Sequence, residues 1–139
     1  MGTIKAFTSL EQSKKLAEIL PLESADMYYF LDPTPAGNIY HLVVQRIDFG
    51  VRTREPEYDK GDIAVWSLVA LLKFMPFQLI ENNNRFGFYQ VKGFNKQGDT
   101  YRFGYKTNNE FCLFETSWYN EPIDAAFEMI CWLKKNHKI

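Results

Sequence analysis

Only two cysteines and two histidines occur among the 139 residues, and this scarcity excludes much chemistry. Cys112 and Cys131 lie in apolar runs, where cysteine serves as a small hydrophobe. In the expected cytoplasmic setting both stay reduced. His41 and His137 are far apart, and neither has a thiol or carboxylate at ligand spacing, so no metal is expected. No Gly-x-x-x-x-Gly-Lys-Ser/Thr or Gly-x-Gly-x-x-Gly loop offers backbone donors to a phosphate, so no nucleotide cofactor is expected. An excess of either charge is also missing: the formal net charge is −1. The chain therefore has no general attraction for nucleic acid or an anionic membrane. No apolar run approaches the roughly 20 residues of a membrane helix. Met1-Gly2-Thr3-Ile4-Lys5-Ala6-Phe7 lacks the apolar run of a signal peptide, and Ala6 breaks the myristoylation pattern. The expected compartment is the cytoplasm.

Aromatic residues are plentiful, at 17% of the chain, with twelve Phe and eight Tyr. The most apolar stretch runs from Asp62 to Pro76. Asp62 can cap a helix and Pro76 cannot continue one. Between these stops only Ser67 and Lys73 are polar, and Ile63, Trp66, Ala70 and Phe74 recur at helical spacing. The pattern predicts a central helix, apolar on nearly all sides and so buried on nearly all sides.

In chain order, Thr8 and Glu11 match a capping box that opens a helix from about Ser9 to Leu20. Met27–Asp32 and Ile39–Ile47 have strand composition, and Pro33–Asn38 between them makes a hairpin loop of about five to seven residues. Arg52–Gly61 reads as a solvated charged loop. Phe77–Glu81, Arg85–Lys92, Thr100–Lys106 and Phe111–Thr116 form an antiparallel meander, with Asn82-Asn83-Asn84, Gly93–Asp99 and Thr107–Glu110 as turns. Pro122 opens an amphipathic helix of about fourteen residues, with Asp124 at its positive end and Lys134, Lys135 and His137 at its negative end. The sum is a single α+β domain over residues 1–139. Its antiparallel sheet has about five to six strands, with three helices mainly on one face, in the order α-β-β-α-β-β-β-β-α.

Catalytic constellations are sparse. Ser67 lacks the Gly-x-Ser-x-Gly elbow and is better read as a helical serine bonding to its own backbone. Cys112 is a nucleophile only with His41 beside it in space. His41, mid-strand, suits a hydrogen-bonded structural role. Glu55, Glu57, Asp59 and Asp62 interleave with Arg52, Arg54 and Lys60, which does not promise the burial a general acid needs. No catalytic residue is assigned, and the balance lies against an enzyme.

The strands Arg85–Lys92 and Tyr101–Lys106 alternate cations with rings. Period two puts Tyr101, Phe103 and Tyr105 on one face and Arg102 and Lys106 on the other. Facing the helices, these rings are core; facing outward, with Trp118 and Tyr119 near the sheet end, they form a binding surface. Stacking on single-stranded nucleic acid is a third option. Against it, Arg85-Phe86-Gly87 inverts the RNA-module order, and Phe77–Tyr119 holds five basic and four acidic residues.

Three segments carry a resemblance: Glu23-Ser24-Ala25-Asp26-Met27-Tyr28, then Trp66-Ser67-Leu68 running on to Leu71-Leu72 and Pro76, then Pro122-Ile123-Asp124-Ala125-Ala126 running on to Trp132-Leu133. Together the chain resembles small uncharacterised proteins of gut-bacterial genomes and their prophages. The resemblance implies an α+β domain in a mobile-element context and transfers no active site. The favoured function is a small cytoplasmic protein-interaction module meeting another protein or a second copy of itself. The alternative is a small-ligand binder or enzyme with a pocket between sheet and helices near Trp66 and Trp118.

Overall fold

A computed structural model describes residues 5–44, 47–48, 51–52 and 55–139. The readings over Met1–Ile4, Gln45-Arg46 and Thr53-Arg54 lie outside the described residues. Among the described residues the fold is α+β, with three α-helices and two main antiparallel sheets, of three and four strands. This corrects the expectation of one sheet of five to six strands. The chain groups into two compact units, Phe7–Ala70 and Leu71–Ile139 with Lys5 and Ala6.

In the first unit, α1 (Leu10–Leu16) is capped by Ser9, whose side chain accepts from the Gln12 N–H while the Gln12 side chain accepts from the Ser9 N–H. The capping box therefore sits one residue later than Thr8 and Glu11 predict. Thr8 is instead fully buried. Its N–H donates to the Trp66 carbonyl at 3.0 Å, and its hydroxyl accepts from the Trp66 N–H at 3.2 Å. That tertiary use of the hydroxyl takes it away from the helix end.

Strands β1 (Met27–Thr34) and β2 (Gly37–Val44) form the expected hairpin, but the loop shrinks to Pro35-Ala36, since Pro33 and Thr34 pair with Asn38 and Gly37. Pro33 is tolerated because the fifth strand pairs only with Met27–Tyr29, so no neighbour needs an N–H from it. Two short strands, β3 (Ile47–Asp48) and β4 (Val51–Arg52), pair with each other.

The expected central helix needs the largest correction. Ile63–Val65 forms β5, antiparallel to β1, and α2 covers only Leu68–Leu72. The β-branched Ile63 and Val65 fit a pleated ladder, and pairing with Met27–Tyr29 overrides the helical spacing. Asp62 thus caps no helix. Its carboxylate accepts from the Leu31 N–H at 3.1 Å and the Glu57 N–H at 2.8 Å, just ahead of β5. Ser67 is not inside a helix either: its hydroxyl accepts from the Ala70 N–H in the first turn of α2 and contacts Asp26, which also accepts from the Ser67 N–H at 2.8 Å. Trp66 and Leu71 are fully buried as the pattern requires. The Trp66 indole N–H reaches the Ser24 hydroxyl at 2.9 Å. Leu16, Tyr28, Ala64 and Val65 are buried as well.

The second unit is the predicted meander: β6 (Gln78–Glu81), β7 (Asn84–Asn95), β8 (Gly98–Lys106) and β9 (Cys112–Glu115), in that spatial order. Asn82 and Asn83 take φ of 51° and 64°, the left-handed pair that a two-residue hairpin turn demands. β7 runs on through Gly93 to Asn95, so the expected turn over Gly93–Asp99 contracts to Lys96-Gln97. α3 (Pro122–Lys135) has Pro122 in its first turn and packs on β8. Ile123, Ala126, Met129, Ile130 and Leu133 are fully buried. Beside them Phe114 stacks on Trp132, centroids 4.5 Å apart.

Candidate functional site

Register decides which aromatic residues of the meander reach solvent. Paired residues on antiparallel strands share a face. Phe88 with Tyr105 and Gln90 with Phe103 point one way, whereas Tyr89 with Gly104, Val91 with Arg102 and Gly93 with Thr100 point the other. The first face is core. Phe103 and Tyr105 are buried, each with its centroid within 6 Å of the Phe88 ring. The Tyr105 phenol donates to the Pro76 carbonyl at 2.8 Å, and burial raises its pKa. These two candidates therefore support the sheet from within and present no surface. Tyr101 is half-buried, and its backbone exchanges hydrogen bonds with Tyr119 at 2.7 and 3.0 Å. The Tyr119 phenol donates to Glu128, and burial together with that carboxylate pushes its pKa up to about 12. These three bonds pin the segment leading into α3.

Trp118 is the candidate left with an exposed ring, 43% accessible. Its six-membered edge lies over Gly93, where a β-carbon would come within 2.9 Å of Cζ3. The Arg102 guanidinium sits 4.6 Å from the indole centroid. Arg102 is fixed in turn: Nη1 donates to Glu115 at 3.1 Å, while Nε is buried with no hydrogen-bond partner among the described residues. The indole face is thus what the inner part of this guanidinium meets. Glu115 also accepts from the Tyr89 phenol at 2.6 Å, and Lys106 Nζ stands 4.8 Å over the Tyr89 ring. A continuous row of rings and charges, Lys106, Tyr89, Glu115, Arg102 and Trp118, crosses the open face and ends against the indole.

Beside Trp118 lies a shallow depression of about 340 Å³, lined by Gly93, Phe94, Asn95, Thr100 and Trp118. Phe94 is 81% exposed. Two polar groups near it already have partners: Asn95 Oδ1 accepts from the Gln97 N–H at 2.8 Å, and Asn120 Nδ2 donates to the Asp99 carbonyl at 2.9 Å. What the depression offers is aromatic carbon. A reading of residue patterns places Trp118 but misses Phe94 and Gly93, which fall in the expected turn. The signal was a glycine directly before an aromatic in a strand-length run.

The arrangement carries little acid–base chemistry. Burial and the hydrogen bond to Glu115 raise the pKa of Tyr89, so it stays a protonated donor. Cys112 is exposed, against its expected role as a core hydrophobe, with Sγ 4.0 Å from the Tyr89 oxygen. His41 stacks on Phe30 and lies 3.3 Å from Asp32. Among the described residues no group of three or more His, Cys, Asp or Glu could hold a metal ion, and no helix is long and apolar enough to cross a membrane. A second depression, of about 250 Å³ in the first unit, is lined by Leu22, Tyr58, Asp62 and Ile63 among others, but both Asp62 oxygens are taken by backbone N–H groups. Trp66, the other tryptophan expected at a pocket, is fully buried and has no face to offer. Comparison with protein-family models, curated proteins and solved structures returns no match to this chain.

Proposed function

We propose that the protein is an interaction module that seats an apolar side chain of a protein partner in the depression beside Trp118, lined also by Gly93, Phe94, Asn95 and Thr100. The observation that carries this reading is the clamped indole, packed against Gly93 and Arg102 and exposed on the depression. Interface energy concentrates in rigid aromatic anchors in small pockets, because such groups lose little rotamer freedom on binding. A small-molecule site would enclose roughly 70–90% of its ligand. This open hollow cannot, whereas a partner brings its own surface to frame the buried side chain. A cytoplasmic setting and a prophage context belong to the same proposal; the first rests on the lack of a signal-peptide pattern in the N-terminal residues, the second on the resemblance of the three sequence segments.

The test is selection of short peptides from a random display library on the full chain, followed by titration against Phe94→Ser. Phe94 is so exposed that its loss leaves the core intact. Enriched peptides sharing an aromatic or aliphatic anchor, with affinity weakened about tenfold or more by the substitution, support the reading. Peptides that bind the variant equally well overturn it.

A further inference from the structure

We infer that β2 is a self-pairing edge, through which two copies of this chain join their three-stranded sheets into one. β2 lies at the edge of the order β2-β1-β5, with no strand on its outer side among the described residues. At eight residues, or about 26 Å, it is longer than most strands. Edge strands in monomers are usually blunted by lysine, proline, a bulge or shortness. Gly37-Asn38-Ile39-Tyr40-His41-Leu42-Val43-Val44 has none of these, although charged residues make up 24% of the chain. Its pairing with β1 runs unbroken over all eight positions. Ile39, Tyr40, Leu42 and Val44 are each more than a third exposed.

The absence of charge singles out a second copy as occupant. A two-fold axis through an antiparallel strand pair sets each residue against one of the same parity, because the sheet face is preserved. Centring the axis on His41 sets Ile39 of one copy against Val43 of the other and Tyr40 against Leu42, each pair occurring twice. These pairs are apolar, Asn38 falls against Val44, and no Lys, Arg, Asp or Glu of β2 meets a like charge, the usual obstacle to self-pairing. The two His41 rings face each other across the axis, each beside its own Asp32, 3.3 Å away.

Sedimentation velocity of the full chain at micromolar concentration tests this. The expected species has twice the 16.3 kDa chain mass. Tyr40→Lys alone and Leu42→Glu alone each bury an unpaired charge and weaken the dimer about tenfold or more. Combined in one chain, the two substitutions face each other across the axis and restore the dimer. That restoration separates lost pairing from lost folding. A wild type that sediments as a monomer overturns the proposal, and so does a double variant no more associated than the singles.

Discussion

The rim of the Trp118 indole occupies the space that a side chain on Gly93 would need: a β-carbon there would stand 2.9 Å from Trp118 Cζ3 and 2.8 Å from Thr100 Oγ1. Gly93 lies inside β7, so its value is the room it leaves rather than backbone freedom. Gly93→Ala is therefore expected to push the indole outward and cost about 1–3 kcal/mol, as overpacking does. Urea denaturation measures the loss, and acrylamide quenching of tryptophan fluorescence should rise. Unchanged stability and quenching would mean that the ring is not held as described.

Asp62 tests the corrected centre of the first unit. As the cap of a long helix it would be worth about 1 kcal/mol. As the acceptor joining the N–H groups of Leu31 and Glu57 it is worth more, because it satisfies two part-buried donors and each hydrogen bond to a charged group contributes about 1.5–3 kcal/mol. Asp62→Ala should lower the unfolding free energy by about 2–4 kcal/mol, and amide hydrogen exchange at Leu31 and Glu57 should accelerate. A loss near 1 kcal/mol without faster exchange at Leu31 would favour simple capping.

Tyr105 gives a pH dependence with a definite sign. Burial raises its folded pKa above the ordinary 10.0. The unfolded chain therefore gives up this proton first as pH climbs past that value. The stability that Tyr105 contributes is whole below pH 10 and is lost progressively as pH rises toward the folded pKa. Tyr119, at about 12, adds in the same direction. Tyr105→Phe should flatten the alkaline decline, while at neutral pH it costs about 1–2 kcal/mol for the lost bond to the Pro76 carbonyl. An alkaline denaturation series that declines equally in both proteins would contradict this assignment.

Legibility in the sequence follows the range of the interactions that decide each element. Pro122–Lys135 is readable because its opening proline, apolar stripe and terminal charges are all local. The meander is readable because its turns are short and carry Asn and Gly. Ile63–Val65 is misread because a short apolar run has the same composition in a strand as in a buried helix. What decides it is the distant Met27–Tyr29 edge. Thr8 and Ser9 differ in role for a similar reason: the Thr8 hydroxyl is claimed by Trp66, far along the chain. For the site, period two separates the faces of β8 correctly but cannot say which one α3 covers. Phe103 and Tyr105 consequently turn out to be core. Trp118 is legible as an aromatic at the sheet end. Its clamp is not, because Gly93, Arg102 and Glu115 converge only through strand register.

The most direct measurement is the nitrogen–proton correlation spectrum of the three tryptophan indoles during titration with a library-selected peptide. The Trp66 indole, bonded to Ser24 inside the first unit, is expected to stay fixed, while the Trp118 signal moves in proportion to occupancy. A stationary Trp118 signal with saturating peptide bound would contradict the account.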